Sequence, residues 1–155
     1  MKSLSCVCLS FLYLLFGGAV KEDYFIMRIN NIERVNIYSN GEMIYFDANS
    51  KIAKEIFEVY ADMLDGYHET PSLGVALNDE VKEETKSGLW VEFEYDNYYD
   101  HNGMAYTKLL MRLEPDCSGY NLIRYDNGKY EGRCFYISLM NKNTTLLYDK
   151  IKSLF

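Results

Sequence analysis

The chain has 155 residues, of which 48% are hydrophobic and 25% are charged, and its formal net charge is −7. This length fits one domain and leaves no room for two well-buried cores. An acidic chain without a basic run is repelled by phosphate backbones and by anionic membrane surfaces. We therefore expect one folded domain that binds no nucleic acid and whose partner, not yet identified, is a protein.

The beginning of the chain has the pattern of a signal peptide. An apolar run over residues 4–16 is followed by Gly17 and Ala19, small residues of the kind that signal peptidase prefers before a cleavage site, here at Val20. Two other interpretations remain open. The run is barely long enough to form an uncleaved membrane anchor, and it also fits a buried element of a cytosolic fold.

We therefore divide the chain into a signal or anchor segment, residues 1–19, and a single domain, residues 20–155. Contact with a membrane is expected only through the first segment, and only if it stays uncleaved. The chain contains 15 Tyr together with many Asn, Lys and Ile residues. This composition indicates a bacterial host with an AT-rich genome. The signal-like pattern of residues 1–19 predicts an exported or membrane-anchored protein, with a cytoplasmic location as the alternative.

In chain order, the domain begins with a predicted strand over residues 24–29 and a hairpin over residues 34–46. The hairpin turns at Asn40 and Gly41, the pair most typical of a two-residue loop because both positions need positive φ. One face of this hairpin is then apolar. The facing apolar pairs are Val35 with Phe46 and Ile37 with Ile44.

Three helices are predicted. Apolar residues recur at helical spacing over residues 51–65, with Asn49 or Ser50 as the candidate N-cap and Gly66 at the position where a helix often ends. A short helix is predicted over residues 80–86. The last helix is predicted over residues 144–154.

Two strands and a second hairpin are predicted after the short helix. Strict alternation predicts a strand over residues 89–96, and a second strand is predicted over residues 105–113. A second hairpin over residues 120–140 turns at Asn127 and Gly128. Its predicted pairs are Arg124 with Glu131, Leu122 with Arg133, and Tyr120 with Phe135.

Two polar segments, residues 68–74 and residues 96–103, are predicted to be connections because Pro, Gly, Asn and Asp punctuate them. The whole pattern predicts an α+β fold. We expect a mainly antiparallel sheet of about five to seven strands, with two main helices packed on one face.

Two cysteines, Cys117 and Cys134, belong to the domain. In the predicted register Cys117 lies opposite Ser138, four pairs away from Cys134. At about 3.4 Å per residue the separation is on the order of 13 Å, which is beyond the reach of a disulfide. We therefore expect two free thiols.

A row of carboxylates is the strongest candidate for chemistry. Glu92 and Glu94 lie on one face of a predicted strand, between Trp90 and Asp96, and His101 follows. Such a row can raise the pKa of one carboxylate for acid–base catalysis or hold a divalent cation. The alternative is an ordinary solvated strand face paired with Lys or Arg. No metal-ligand spacing or cofactor motif is visible, so we expect neither.

Aromatic residues provide a second candidate. The second hairpin carries Tyr125, Tyr130 and Tyr136 on one face, and Trp90 lies in the carboxylate row. Tyrosine gives a large contact area at a low entropy cost, which suits a recognition surface. The same face equally fits a position beneath the C-terminal helix.

The leading functional hypothesis is a non-enzymatic, extracytoplasmic or membrane-tethered bacterial domain that binds a protein or surface partner. The first alternative is a metal-dependent hydrolase that uses Glu92, Glu94 and His101. The second is a cytosolic acidic antagonist, of the immunity type, that neutralises a basic partner protein and whose affinity falls with salt.

Overall fold

The computed structural model describes residues 25–155. The signal or anchor segment predicted at residues 1–19 lies outside this range. Within the range, no helix is both long enough and apolar enough to cross a membrane.

A 3-10 helix, Phe25–Asn31, occupies the place of the strand predicted over residues 24–29. That prediction is wrong. The segment begins with three consecutive apolar residues, and such a run does not distinguish a strand from a helix by periodicity. The backbone leaves the helical conformation once, at Arg28, where φ is −72° and ψ is 37°.

In the described part of the chain, eight strands form one sheet in which every pair is antiparallel. They are β1 (Ile32–Ser39), β2 (Glu42–Asp47), β3 (His68–Ala76), β4 (Leu89–His101), β5 (Met104–Arg112), β6 (Gly119–Asp126), β7 (Lys129–Tyr130) and β8 (Gly132–Ser138). Their order is β2-β1-β4-β5-β6-β8-β3, and β7 pairs with β6. The predicted α+β class and antiparallel sheet are confirmed, although the strands outnumber the five to seven expected.

Three α-helices accompany the sheet: α1 (Lys51–Leu64), α2 (Asn78–Glu84) and α3 (Thr145–Lys152). The predicted cap of α1 is confirmed, because the Ser50 hydroxyl accepts a hydrogen bond of 3.1 Å from the backbone N–H of Ala53. Gly66 follows the helix with a φ of 77°, a conformation that glycine adopts without strain.

The two main helices of the prediction, α1 and α3, share one face of the sheet, and the short helix α2 lies on the opposite face. On the α1 face, Tyr60 of α1 contacts the ring of Phe93 at a centroid distance of 4.7 Å, and α3 lies beside α1 through an ion pair between Lys150 and Glu55. On the opposite face, here called the α2 face, Val81 of α2 packs in a cluster with Trp90. Neighbouring residues of a strand point to opposite faces, so β4 is buried on both sides.

The first hairpin has the predicted register, in which Val35 faces Phe46 and Ile37 faces Ile44. Asn40 and Gly41 have φ values of 50° and 85°, as the two-residue turn requires. Turn chemistry and the apolar pattern agree in this hairpin, and both are local features of the sequence.

The second hairpin turns at Asn127 and Gly128 as predicted, but its register shifts by two residues at Gly132, where φ is 91°. The predicted partners of Leu122 and Tyr120 are therefore wrong. Leu122 pairs with Phe135 instead of Arg133. The shift places two buried apolar side chains together, which outweighs the regularity of the ladder. The observed pairs are Leu122 with Phe135 and Tyr120 with Ile137.

Both polar segments predicted as connections belong to strands. Residues 68–74 lie in β3, an edge strand that pairs with β8, and an edge strand tolerates Pro71 because only one of its sides takes part in the ladder. Residues 96–101 extend β4, and only Asn102 and Gly103 form the turn, with φ values of 54° and 74°.

Candidate functional site

Glu92 is the centre of the most polar cluster on the α2 face. Its side chain has 0% exposure, although one interpretation of the sequence placed it on a solvated strand face. In the sheet, Glu92 lies between Asn36 of β1 and Leu110 of β5. A charged group without exposed surface costs free energy unless it is paired and hydrogen-bonded, so its partners decide its role.

Side chains from β1 and β7 donate hydrogen bonds to this carboxylate. The Asn36 amide Nδ2 donates to Oε1 at 2.8 Å, and the Tyr38 hydroxyl donates to the same oxygen at 3.3 Å. The Tyr130 hydroxyl donates to Oε2. Both oxygens of Glu92 are therefore engaged by neutral donors.

Lys108 supplies the compensating positive charge. Its Nζ lies 3.6 Å from Oε1 of Glu92 and 3.3 Å from Oε2 of Glu94. Asn36 Nδ2 also lies 3.3 Å from Oε2 of Glu94, so one lysine and one amide join the two carboxylates. The result is a network that crosses β1, β4 and β5.

The network changes the pKa values of the groups around Glu92. Burial raises the pKa of Tyr130 and of Tyr38, and the carboxylate of Glu92 raises both further. Burial acts to lower the pKa of Lys108, but the carboxylates of Glu92 and Glu94 outweigh it and raise that pKa. Both phenols therefore stay protonated as donors, and the lysine stays charged. This chemistry holds a carboxylate in place; it does not present one to a substrate.

Burial corrects the expectation of a solvated strand face for Trp90 and Glu92. Trp90 is buried, and its Nε1 donates to the carbonyl of Ser87 at 2.8 Å. The other half of that expectation, pairing with a neighbouring lysine, is what Lys108 provides. Asp96, at the far end of the row, is exposed.

His101 does not join the carboxylate row in the network. Its Nε2 lies 3.1 Å from Oε2 of Glu69 on β3, and its ring contacts Phe135 at a centroid distance of 5.6 Å. Among residues 25–155, no group of three or more His, Cys, Asp or Glu side chains is arranged to hold a metal ion. The structure thus separates His101 from the two carboxylates with which the sequence grouped it.

The aromatic candidates share the α2 face and do not lie beneath α3. Tyr125 contacts Tyr130 edge-on at a centroid distance of 4.9 Å, and Lys108 Nζ lies 5.3 Å from the centre of the Tyr125 ring. Tyr130 and Trp90 are buried in one cluster. Tyr136 lies two residues after Cys134 of the same cluster, and strand alternation places it on the same face.

Both cysteines of the described chain are free thiols. Cys117 is half-buried, whereas Cys134 is buried, and burial raises the pKa of the Cys134 thiol. A buried thiol with a raised pKa is less nucleophilic, so Cys134 acts as an apolar residue of the α2 face.

The edges of the sheet carry exposed apolar side chains that were not predicted from the sequence. Met43 and Tyr45 of β2 are 53% and 58% exposed, and Val75 of β3 and Leu77 just after it are 63% and 51% exposed. Four of the eight most exposed large hydrophobic side chains of the described chain thus lie at its two edge strands. The alternation of β2 could have predicted this exposure, because Met43 and Tyr45 lie on the face opposite to Ile44 and Phe46.

Two depressions lie on the α2 face, and the first of them adjoins the β3 edge. The first, of about 180 Å³, lies between α2 and the end of β3 and is lined by Leu77, Glu80 and Val81. The second, of about 250 Å³, includes Trp90 and Arg112 in its lining. Both depressions are also lined by Glu84, Asn121 and Ile123, so they form one groove.

Comparison of the chain with protein-family models, with curated proteins and with solved structures gave no match.

Proposed function

We propose that this chain is a non-enzymatic protein-binding domain that is exported or membrane-tethered. The observation that carries the proposal is the exposure of Met43, Tyr45, Val75 and Leu77 at the two edge strands. Edge strands offer unpaired backbone groups, and natural proteins usually protect such edges with charges or cover them. Exposed apolar side chains at an edge are instead typical of a surface that a partner covers.

The polar residues that the sequence singled out support a binding role because they are engaged inside the fold. Glu92 is buried and bonded to three side chains, and His101 is paired with Glu69. The hydrolase alternative needs Glu92, Glu94 and His101 to act together, and this geometry gives it no support. The binding role needs none of these groups to be free.

A second candidate, the cytosolic acidic antagonist of a basic partner, is favoured by one specific observation. Glu80 and Glu84 of α2 are exposed, and their carboxylates form no hydrogen bond or ion pair with any residue of the described chain. The two candidates share a protein-binding role and differ in compartment. The apolar run at residues 4–16 is the reason why the exported or membrane-tethered domain is the first candidate.

The proposed function is tested by the assembly size of the tagged chain in extracts of its native host, measured by size-exclusion chromatography. We expect the wild-type chain to elute in a complex larger than itself. Tyr45→Ser, Val75→Ser or both should release the free chain, whereas Leu146→Ser, at an exposed position on α3, should leave the complex intact.

Circular dichroism of each variant confirms that it is folded. A wild-type chain that elutes only as a free protein would contradict the proposal. Equal release by Leu146→Ser would also contradict it, because the edges would then have no special role.

A further inference from the structure

The groove on the α2 face combines an apolar floor with an acidic rim. Ile123 and Cys134 belong to its floor together with Val81 of α2, and Leu77 stands exposed at its entrance. The groove consists of two connected depressions, of about 180 Å³ and about 250 Å³. Each depression can receive a side chain of a bound segment.

The rim carries negative charge that the fold leaves available. Glu80 and Glu84 line the groove one helical turn apart, and within residues 25–155 neither carboxylate has an ion-pair partner. Glu83, on the same helix, is by contrast paired with Lys86. The groove therefore has two carboxylates whose charge is not compensated.

The one arginine that lines the groove does not offset this charge. Arg112 Nε lies 3.0 Å from Oε1 of Glu114, which lines the same depression, and its guanidinium lies 5.8 Å from the centre of the Trp90 ring. Its charge is already compensated by a neighbour. The groove as a whole is thus complementary to a cationic ligand.

We propose that this groove binds a basic, apolar segment of a partner protein, whose apolar side chains enter the two depressions and whose Lys or Arg residues pair with Glu80 and Glu84. The inference rests on the proposed protein-binding function and names the chemistry of the partner. The Cβ atoms of residues four apart on a helix lie about 5–6 Å from each other, so two cationic side chains of one segment can reach both carboxylates. Complementary charge speeds association and selects the partner, and apolar contact supplies affinity.

The test uses a short amphipathic peptide of leucine and lysine as the probe, with the chain as isolated from its host. Binding is measured by calorimetry and by the fluorescence of Trp90, which is the only tryptophan of the chain and lines the second depression. We expect one-to-one binding that weakens as salt is raised. A peptide of leucine and glutamate should not bind.

Two double variants of α2 provide a matched comparison. Glu80→Gln with Glu84→Gln removes the groove carboxylates, and Asp79→Asn with Glu83→Gln removes two other charges at the same spacing on the same helix. The first double variant should lower the affinity for the leucine–lysine peptide by about five- to tenfold, and the second should lower it by less than about twofold. All four side chains are exposed, so both variants should fold.

Equal weakening by both double variants would overturn the proposal, because the peptide would then respond only to net charge. Absence of binding by the leucine–lysine peptide would overturn it as well. Neither result would remove the proposed function, which a partner bound at Tyr45 on the other edge of the sheet would still support.

Discussion

At Glu92, a carboxylate with no exposed surface is surrounded by side chains from three other strands: Asn36 and Tyr38 of β1, Lys108 of β5 and Tyr130 of β7. A buried ion pair adds little net stability relative to an apolar core of the same volume. Removal of one member is costly, however, because it leaves the remaining donors unsatisfied in a medium of low dielectric constant. The network therefore makes the folded state depend on one side chain.

Glu92→Ala is expected to lower the free energy of unfolding by about 3–5 kcal/mol, because it leaves the donors of Asn36, Tyr38 and Tyr130 without their acceptor. Urea unfolding measures the change. Glu42→Ala, at an exposed position of β2, is the control and should change stability by less than about 1 kcal/mol. Similar small losses in both variants would show that the network does not stabilise the fold.

The tyrosines of the network predict a dependence on alkaline pH. In the folded state the pKa values of Tyr38 and Tyr130 are raised above their ordinary value of 10.0, first by burial and then by Glu92. Above about pH 10 the folded state therefore binds more protons than the unfolded state. The stability that these two groups contribute is fully present below pH 10 and is lost as the pH rises further.

In a titration followed by absorbance at about 295 nm, Tyr38 and Tyr130 should ionise only when the protein unfolds. The double variant Tyr38→Phe with Tyr130→Phe should lose part of this late, cooperative change. Ionisation of Tyr38 and Tyr130 near pH 10 in the folded protein would contradict the network.

At the scale of elements, β6 and β8 approach each other closely at Gly119. A Cβ atom on Gly119 would lie 2.7 Å from the backbone carbonyl oxygen of Ile137 and 2.4 Å from the Tyr136 hydroxyl oxygen. A backbone atom cannot yield as the end of a flexible side chain can. Glycine at position 119 is thus required for the observed register of these strands.

Gly119→Ala is expected to lower the free energy of unfolding by about 1–3 kcal/mol through this overlap. Gly74→Ala in β3 is the matched control, since its Cβ would meet only the Ser72 hydroxyl oxygen at 3.4 Å. The control should be neutral or slightly stabilising, because alanine reduces the entropy of the unfolded chain. Equal effects in thermal unfolding would mean that β6 and β8 do not approach as closely as described.

Element prediction from the sequence succeeded where the signals were local. The turn at Asn40 and Gly41 and the apolar alternation beside it determine the first hairpin completely. In the second hairpin the turn is equally local, but the bulge at Gly132 depends on which buried residue Leu122 meets. That choice depends on packing across the sheet, which periodicity does not contain.

The candidate site was predictable only in part, for the same reason. Alternation placed Trp90, Glu92 and Glu94 on one strand face, and this assignment holds. It could not show that the face is buried, because Tyr130, which covers Glu92, is 38 residues away along the chain. His101 was grouped with the carboxylates by nearness in sequence, whereas its partner Glu69 is 32 residues away.

At the scale of the whole molecule, a net charge of −7 and exposed apolar edges act together. In the proposed function, the charge would keep identical copies apart and attract a basic partner over a distance that salt shortens. The apolar edges would then provide the contact area for that partner. This proposed role requires no free catalytic group.

Export predicts a chain shortened by cleavage of the signal segment. The protein isolated from outside the cytosol of its native host should have the intact mass of a chain that begins at Val20, because the small residues Gly17 and Ala19 precede that position. Full-length protein in the membrane fraction would identify an anchored domain instead. A full-length chain that is soluble in the cytosol would contradict export and favour the acidic antagonist.

The most direct test of the central claim, that the sheet edges bind a partner protein, is photo-crosslinking of the chain in its native host. A photoreactive residue is placed at position 45, at position 75 or, as the control, at position 146, which is also exposed but lies on α3. The account predicts an adduct of one discrete mass from at least one edge position and none from the control. If neither edge position gives more adduct than position 146, the claim is contradicted.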